Sequence, residues 1–348
     1  MVSKEQYLSV DIVKFIMAIL VVGIHCNGIG YGQYPHWLDF INKLAVPFFF
    51  VTTGFLIQRK ISNTFLSTPP PSHCEYQFVV NQVLTKGLRK SARLYLIWTA
   101  IYLPLTIIGF WYNNKPFYHD VALFFRQFLF VGENSYSWPL WYLLALVVGL
   151  FILRWFFYRG FSVRIIFGIG VLLMFLGYGY TCWRDDVHSG LLFYVFKAYH
   201  IVFGSIRNGI FYGFPLLATG MLIEHAGWTK KTHYLSNVVL IVIGAVLFYF
   251  DVTPIFLCVS IIGLFSLVFK VDVKISSQLG LYFRHMSMWI YFLHMYIVFA
   301  MVQLHHLGVI QFSIYENWIF VACIMLLLSS AICFFARTRY GAWLTRIV

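Results

Sequence analysis

Residues 8–27 read LSVDIVKFIMAILVVGIHCN. At 1.5 Å rise per residue, a helix of this length spans about 30 Å, the thickness of the bilayer hydrocarbon core. The run is apolar except at Asp11, Lys14 and His25. Charge inside it, with no small-residue cleavage site after it, excludes a secretory signal peptide. Ionisable groups at membrane depth are expensive and mark function by default. Lys14 and His25 are eleven positions apart and differ by only about 20° around the helix axis, with Asp11 within about 60° of Lys14. One polar stripe, with Ala18 and Val21 or Val22 along it, should therefore face the interior of a helical bundle.

The same pattern recurs along the chain. Of 348 residues, 61% are hydrophobic and 11% charged, with a mean hydropathy of +0.79. A soluble domain carries roughly 25% charged residues. Apolar runs predict membrane helices near 8–27, 38–57, 91–112, 139–158, 161–180, 209–224, 235–250, 252–269, 286–305 and 316–336. Segments 117–131 and 190–206 are apolar but interrupted, and read as interfacial or re-entrant pieces. With the first residues inside, 18 of the 25 Lys and Arg fall on the cytoplasmic side and six on the other, with Lys14 within the membrane. This bias fixes an orientation with both ends cytoplasmic. The expectation is an all-α, polytopic bundle of ten transmembrane helices, a single membrane domain over 1–348 with no appended soluble module.

Charge also limits function. The excess of basic residues is explained by inside loops, and no contiguous basic stripe points to nucleic acid. Cys26, Cys74, Cys182, Cys258, Cys323 and Cys333 form no CxxC pair, although Cys26 and Cys182 both approach the outer face, where a disulfide is conceivable. His305 and His306 adjoin, but two neighbouring histidines do not make a metal centre, and no metal is expected.

Three groups of residues carry candidate chemistry. Asp11 and Lys14 suit an i,i+3 ion pair near the inner interface. His25 suits a general base, since neutral histidine can accept and return a proton. Asp11 lies about 21 Å along the axis from it, so its partner must come from elsewhere; Glu133, His200, Asp251 and His294 are nearest by topology. Lys86, Arg89, Lys90 and Arg93 precede the third span. They read either as inside anchors or as an anion site at a helix N-terminus, where free N–H groups add to the guanidinium forks. A coenzyme A thioester would fit there. Ser287, Tyr291 and His294 share one face of a late helix, where core packing is an equal alternative.

In this order and topology the motifs resemble the membrane-bound acyltransferase-3 family, whose members move acyl groups, often acetyl, to extracytoplasmic acceptors. Asp11-Ile12-Val13-Lys14 followed by His25 is similar to its basic residue, ten intervening residues, then His. Val46-Pro47-Phe48-Phe49-Phe50 through Gly54-Phe55 resembles its second-helix signature. Arg89, Lys90 and Arg93 before Tyr95 and Trp98 look like its basic entry to the third helix. Trp138-Pro139-Leu140-Trp141-Tyr142-Leu143 and Ser287 through His294 match its fourth-helix start and late motif. The basic residue here is Lys14 where Arg is common, and the glutamate of many longer members is missing from 138–150.

The resemblance implies that His25 is catalytic and that Lys14, Arg89, Lys90 and Arg93 hold an acyl-CoA cosubstrate, most simply acetyl-CoA. Asp11, Glu133, Arg207, Asn208, Ser287, Tyr291 and His294 would support the site or its acceptor side. Arg207-Asn208-Gly209, before Phe214-Pro215 and Gly220, is similar to the membrane domain of vancomycin-resistance serine racemases. The expected partners are the lipid bilayer, a small-molecule acyl donor and a glycan or lipid-linked acceptor. The expected location is a bacterial inner or plasma membrane. With His25 toward the outer end of its span and the Arg pair toward the inner, acyl transfer needs a route through the bundle for a pantetheine arm. A transporter for a small polar solute such as an amino acid is the alternative, although no internal repeat is evident. A membrane scaffold is the third reading.

Overall fold

The computed structural model describes residues 7–27, 36–65, 72–113, 115–252, 254–310 and 318–347. The described residues contain no strand. Their helices are α1 (Leu8–Asn27), α2 (His36–Thr64), α3 (His73–Asn113), α4 (Phe117–Arg126), α5 (Leu140–Tyr158), α6 (Val163–Trp183) and α7 (Gly190–Phe203). There follow α8 (Phe214–His225), the single turn α9 (Trp228–Lys231), α10 (Tyr234–Tyr249), α11 (Ile255–Lys270), α12 (Ser277–His306) and α13 (Trp318–Phe335). π-Helical turns at Gln127–Val131 and Gly209–Gly213 continue α4 and lead into α8.

Each of the ten predicted spans coincides with helical backbone, and 7 of the helices are long and apolar enough to cross a membrane. The spans predicted at 209–224, 235–250 and 252–269 fall on shorter helices; α10 and α11 have 16 residues each. The interrupted segments at 117–131 and 190–206 are largely helical, as α4 with its π turn and as α7. The chain is an all-α, polytopic membrane bundle.

The chain packs as two compact units. One comprises residues 1–49, 232–250 and 259–348, the other 50–231 and 251–258. In the first, α12 packs along α1 and α13. Ala18, Val21 and Val22 of α1 are buried, as their place on the polar stripe predicts, with Trp289, Ile290 and Met295 of α12 in the same core. In the second, α5 packs along α3, and α8 against α5 and α6.

The largest departure from the sequence reading is at α3. Its start was expected near residue 91, after a cytoplasmic loop; the helix instead begins at His73 and runs for 41 residues. That is about 60 Å, twice the hydrocarbon thickness. Two local features explain the early start. Ser72 and Glu75 form a capping box: the Ser72 N–H donates to Glu75 Oε2 at 2.9 Å, and the Glu75 N–H to Ser72 Oγ at 3.3 Å. From there Val80, Val83, Leu84, Ser91, Leu94, Tyr95, Trp98 and Tyr102 form one buried helical face. The polar stretch 73–90 is thus the first half of an amphipathic helix.

Two glycines fix how closely α2 and α8 approach in the second unit. A Cβ at Gly54 would lie 2.0 Å from the Leu217 carbonyl oxygen, and one at Gly220 2.0 Å from that of Val51. Backbone meets backbone on both sides, so neither neighbour can yield by a rotamer change. Gly220→Ala should lower the thermal midpoint in detergent by the equivalent of about 1–3 kcal/mol, the usual cost of overpacking. Gly168→Ala, where an added Cβ meets nothing within 4 Å, should leave the midpoint unchanged or raise it. Equal midpoints for the two variants would contradict this packing.

Candidate functional site

α1 and α12 carry the first cluster. Asp11 is buried, and the Arg284 guanidinium donates to both its oxygens, Nε to Oδ1 at 2.9 Å and Nη2 to Oδ2 at 2.7 Å. This bidentate pair accounts for the buried carboxylate, because a planar fork satisfies both oxygens at once. Further along both helices the His25 and His294 rings stack, with centroids 5.1 Å apart and an interplanar angle of 29°. Residue numbers rise on both helices from the first contact to the second, so α1 and α12 run in the same direction.

His294 is fully buried. Its Nδ1 lies 3.1 Å from the Ile290 carbonyl oxygen, one turn back on α12. A carbonyl only accepts, so Nδ1 carries the proton and Nε2 presents a lone pair. That Nε2 has no hydrogen-bond partner among the described residues. A buried imidazole acceptor is thus left open beside a second, half-buried histidine. Tyr291 lies edge-on to His294 at 6.2 Å. The Ser287 hydroxyl donates to the Arg284 carbonyl at 2.8 Å and so ties back to its own helix.

Of the partners considered for His25, His294 stacks on its ring within the first unit. In the second unit the Tyr180 hydroxyl sits 3.1 Å from His200 Nδ1, and Glu133 faces Arg207 at 4.0 Å. Arg207 also lies over the Trp141 ring, 6.0 Å from its centroid. Burial raises the Glu133 carboxyl above the usual carboxylate range, and the Arg207 charge offsets part of that rise. Asn208 is committed to the backbone: its Oδ1 accepts from the N–H groups of Ile210 and Phe211, and its Nδ2 donates to the Tyr199 hydroxyl. It caps the π turn that brings Gly209 against Val148 and Ala145 of α5.

Lys86, Arg89, Lys90 and Arg93 are all exposed on α3. They are not at a helix N-terminus. The helix starts sixteen residues before Arg89, so the backbone N–H groups there are spent on intrahelical bonds, and only the side chains can hold an anion. All six cysteines are free thiols, so a Cys26–Cys182 bridge is not formed. Arg284 was read only as one of the inside charges. Its spacing to Ser287, Tyr291 and His294 already put it on their face of α12, one signal that the buried Asp11 had a partner there.

With these positions in hand, the family model described as an acyltransferase domain matches residues 7–338. The chain belongs to the acyltransferase-3 family. It is also similar to a serine/alanine racemase of Enterococcus gallinarum, 24% identical over 95% of this chain and 46% of the relative. An amino-acid racemase of Enterococcus faecalis is 24% identical over 68% of this chain and 30% of its own length. The chain thus spans less than half the length of the curated relatives it matches. No solved structure matches.

Two outcomes follow from these contacts. Arg284→Gln strands the Asp11 carboxylate, and should cost about 3 kcal/mol of stability, the penalty for breaking a buried pair. Adding Asp11→Asn should restore part of the lost midpoint; no recovery would contradict the pairing. Glu133 gives a pH signature. Its folded carboxyl holds its proton to higher pH than the unfolded one, so wild-type stability falls as pH rises from about 4 through the raised value. Thermal midpoints of wild type and Glu133→Gln should therefore diverge in the variant's favour over that range, and parallel curves would refute the assignment.

Proposed function

We propose that the protein transfers an acyl group, most simply acetyl, from a coenzyme A thioester to a hydroxyl or amine of an extracytoplasmic acceptor, with His25 as the general base. The observation that carries this reading is the stacked His25–His294 pair with an open, buried Nε2 acceptor, in a chain of an acyltransferase family. His25 takes the proton from the acceptor as its oxygen or nitrogen attacks the thioester carbonyl. Collapse of the tetrahedral intermediate breaks the C–S bond, and the departing thiolate takes the proton back from the His25 imidazolium, leaving acylated acceptor and free coenzyme A thiol. His294, its tautomer set by Ile290, keeps a neutral ring stacked against His25. Arg89, Lys90 and Arg93, with Lys14, are the cations assigned to the donor's phosphates. Glu133 and Arg207, beside Trp141, are assigned to the acceptor side, where a glycan or another cell-envelope component would be recognised.

A second reading is favoured by one finding. The relatives that share this membrane segment are named as amino-acid racemases, which keeps an amino acid in view, either as acceptor amine or as a transported solute. Counterflow of labelled serine in proteoliposomes lacking acyl-CoA would identify transport.

Thiol release from acetyl-CoA by the purified protein in detergent tests the main reading. His25→Ala should reduce it by about 100-fold or more, the usual worth of a general base, and Arg89→Ala should raise the donor concentration needed for half-saturation. Release that is unchanged in His25→Ala would remove His25 from the chemistry.

A further inference from the structure

We propose that two adjoining hollows, one on the face of α3 and one between α3 and α5, form a binding site for a phosphate-ester head group, gripped by Lys86, Arg89 and Arg154. Two contiguous hollows meet at Phe78 and Asn81: one of about 430 Å³ reaches Lys86 and Arg89, and one of about 210 Å³ reaches Arg154 and Tyr158. Arg154 Nε donates to Asn81 Oδ1 at 2.6 Å, across from α5 to α3. The terminal nitrogens of that guanidinium have no partner among the described residues, and neither Lys86 nor Arg89 has an ion pair among them.

Charge balance makes the site unusual. α5 contains no carboxylate, and the one in α3, Glu75, is held by Ser72 at the cap. Arg154 therefore borders one hollow, and Lys86 and Arg89 the hollow that adjoins it at Phe78 and Asn81, with no free anion on either helix. Lys86 and Arg89, three apart on one helix, repel one another. An arginine that only anchors a membrane protein in inside water needs no holder. Here a neutral amide fixes the fork by its Nε and leaves both terminal nitrogens to point at something else, the geometry suited to two phosphate oxygens. Exposed Phe78 and Tyr158 rim the same hollow. They offer a flat apolar edge to whatever the phosphate is attached to.

Two ligands present this chemistry on the side that the basic residues mark as cytoplasmic: the nucleotide end of a coenzyme A thioester and the head group of an anionic phospholipid. The site stands on its own geometry; only a nucleotide as its occupant rests on the acyl-transfer reading. The probes are adenosine 3′,5′-bisphosphate, titrated calorimetrically into the detergent-purified protein, and phosphatidylglycerol against phosphatidylcholine, retained by the protein in native mass spectrometry. Arg154→Gln and Asn81→Leu should each weaken binding of one probe by about tenfold, the loss of one charge-assisted bond to phosphate, while Arg337→Gln leaves it unchanged. Arg154→Lys, which keeps the charge but not the fork, should fall between. Loss for the bisphosphate assigns the nucleotide, and loss for phosphatidylglycerol alone assigns the lipid. If both probes bind Arg154→Gln and Asn81→Leu as they bind wild type, the site is wrong. Thiol release that needs His25, with such unchanged binding, would overturn the site and leave acyl transfer standing. Arg154-dependent binding in a protein that releases no thiol would do the reverse.

Discussion

A carboxylate at membrane depth has to be answered by a cation or give up its charge, and in this protein Arg284 answers Asp11. The bidentate contact ties the start of α1 to α12 and sets the two helices running side by side in the same direction. About ten residues further along α12, and fourteen along α1, that alignment delivers two histidine rings face to face. The stack is therefore a consequence of helix pairing whose polar anchor lies at the other end. The anchor is costly by itself, since buried pairs rarely repay their desolvation. Its value is in register: sliding α1 by one turn against α12 would strand Asp11 and separate the imidazoles together.

The second unit is organised by close approach. Gly54 and Gly220 let α2 and α8 meet backbone to backbone, and Gly209 does the same against α5, with Asn208 holding the π turn that makes it possible. Several residues that look like chemistry in the sequence also make architectural contacts, in both units. Asn208 caps, Ser287 bonds its own helix, and Gly54 closes the second-helix signature because no side chain fits there. Charged residues on the same elements, Arg207 with Glu133 and Arg154 with Asn81, remain partly available.

Much of this was legible in the sequence because bilayers impose strong patterns. Apolar runs of fixed length placed every span, and the polar stripe of α1 identified the face that is buried at Ala18, Val21 and Val22. His294 could be named among four candidates for His25 because topology brings its mid-helix position within reach of the outer half of α1. The misreadings have physical causes too. Hydropathy reports where a helix is apolar, not where it starts, so α3 was begun eighteen residues late; its Ser72–Glu75 capping box was the signal overlooked. Arg284 was counted as an inside charge because a positive-inside tally treats every basic residue alike. Whether a basic residue faces water or a buried carboxylate depends on which helices pack together, and periodicity within α12 gives only the face that Arg284 shares with Ser287, Tyr291 and His294.

The central claim is that an acyl group leaves coenzyme A on one face and ends on a different molecule, through His25. Inside-out membrane vesicles given acetyl-labelled coenzyme A test this directly. Covalent label should appear on envelope material enclosed by the vesicles with wild-type protein, and not with His25→Ala. Label that stays on coenzyme A or appears only as free acetate, while the wild-type vesicles exchange a labelled amino acid, would contradict the account and make the protein a transporter.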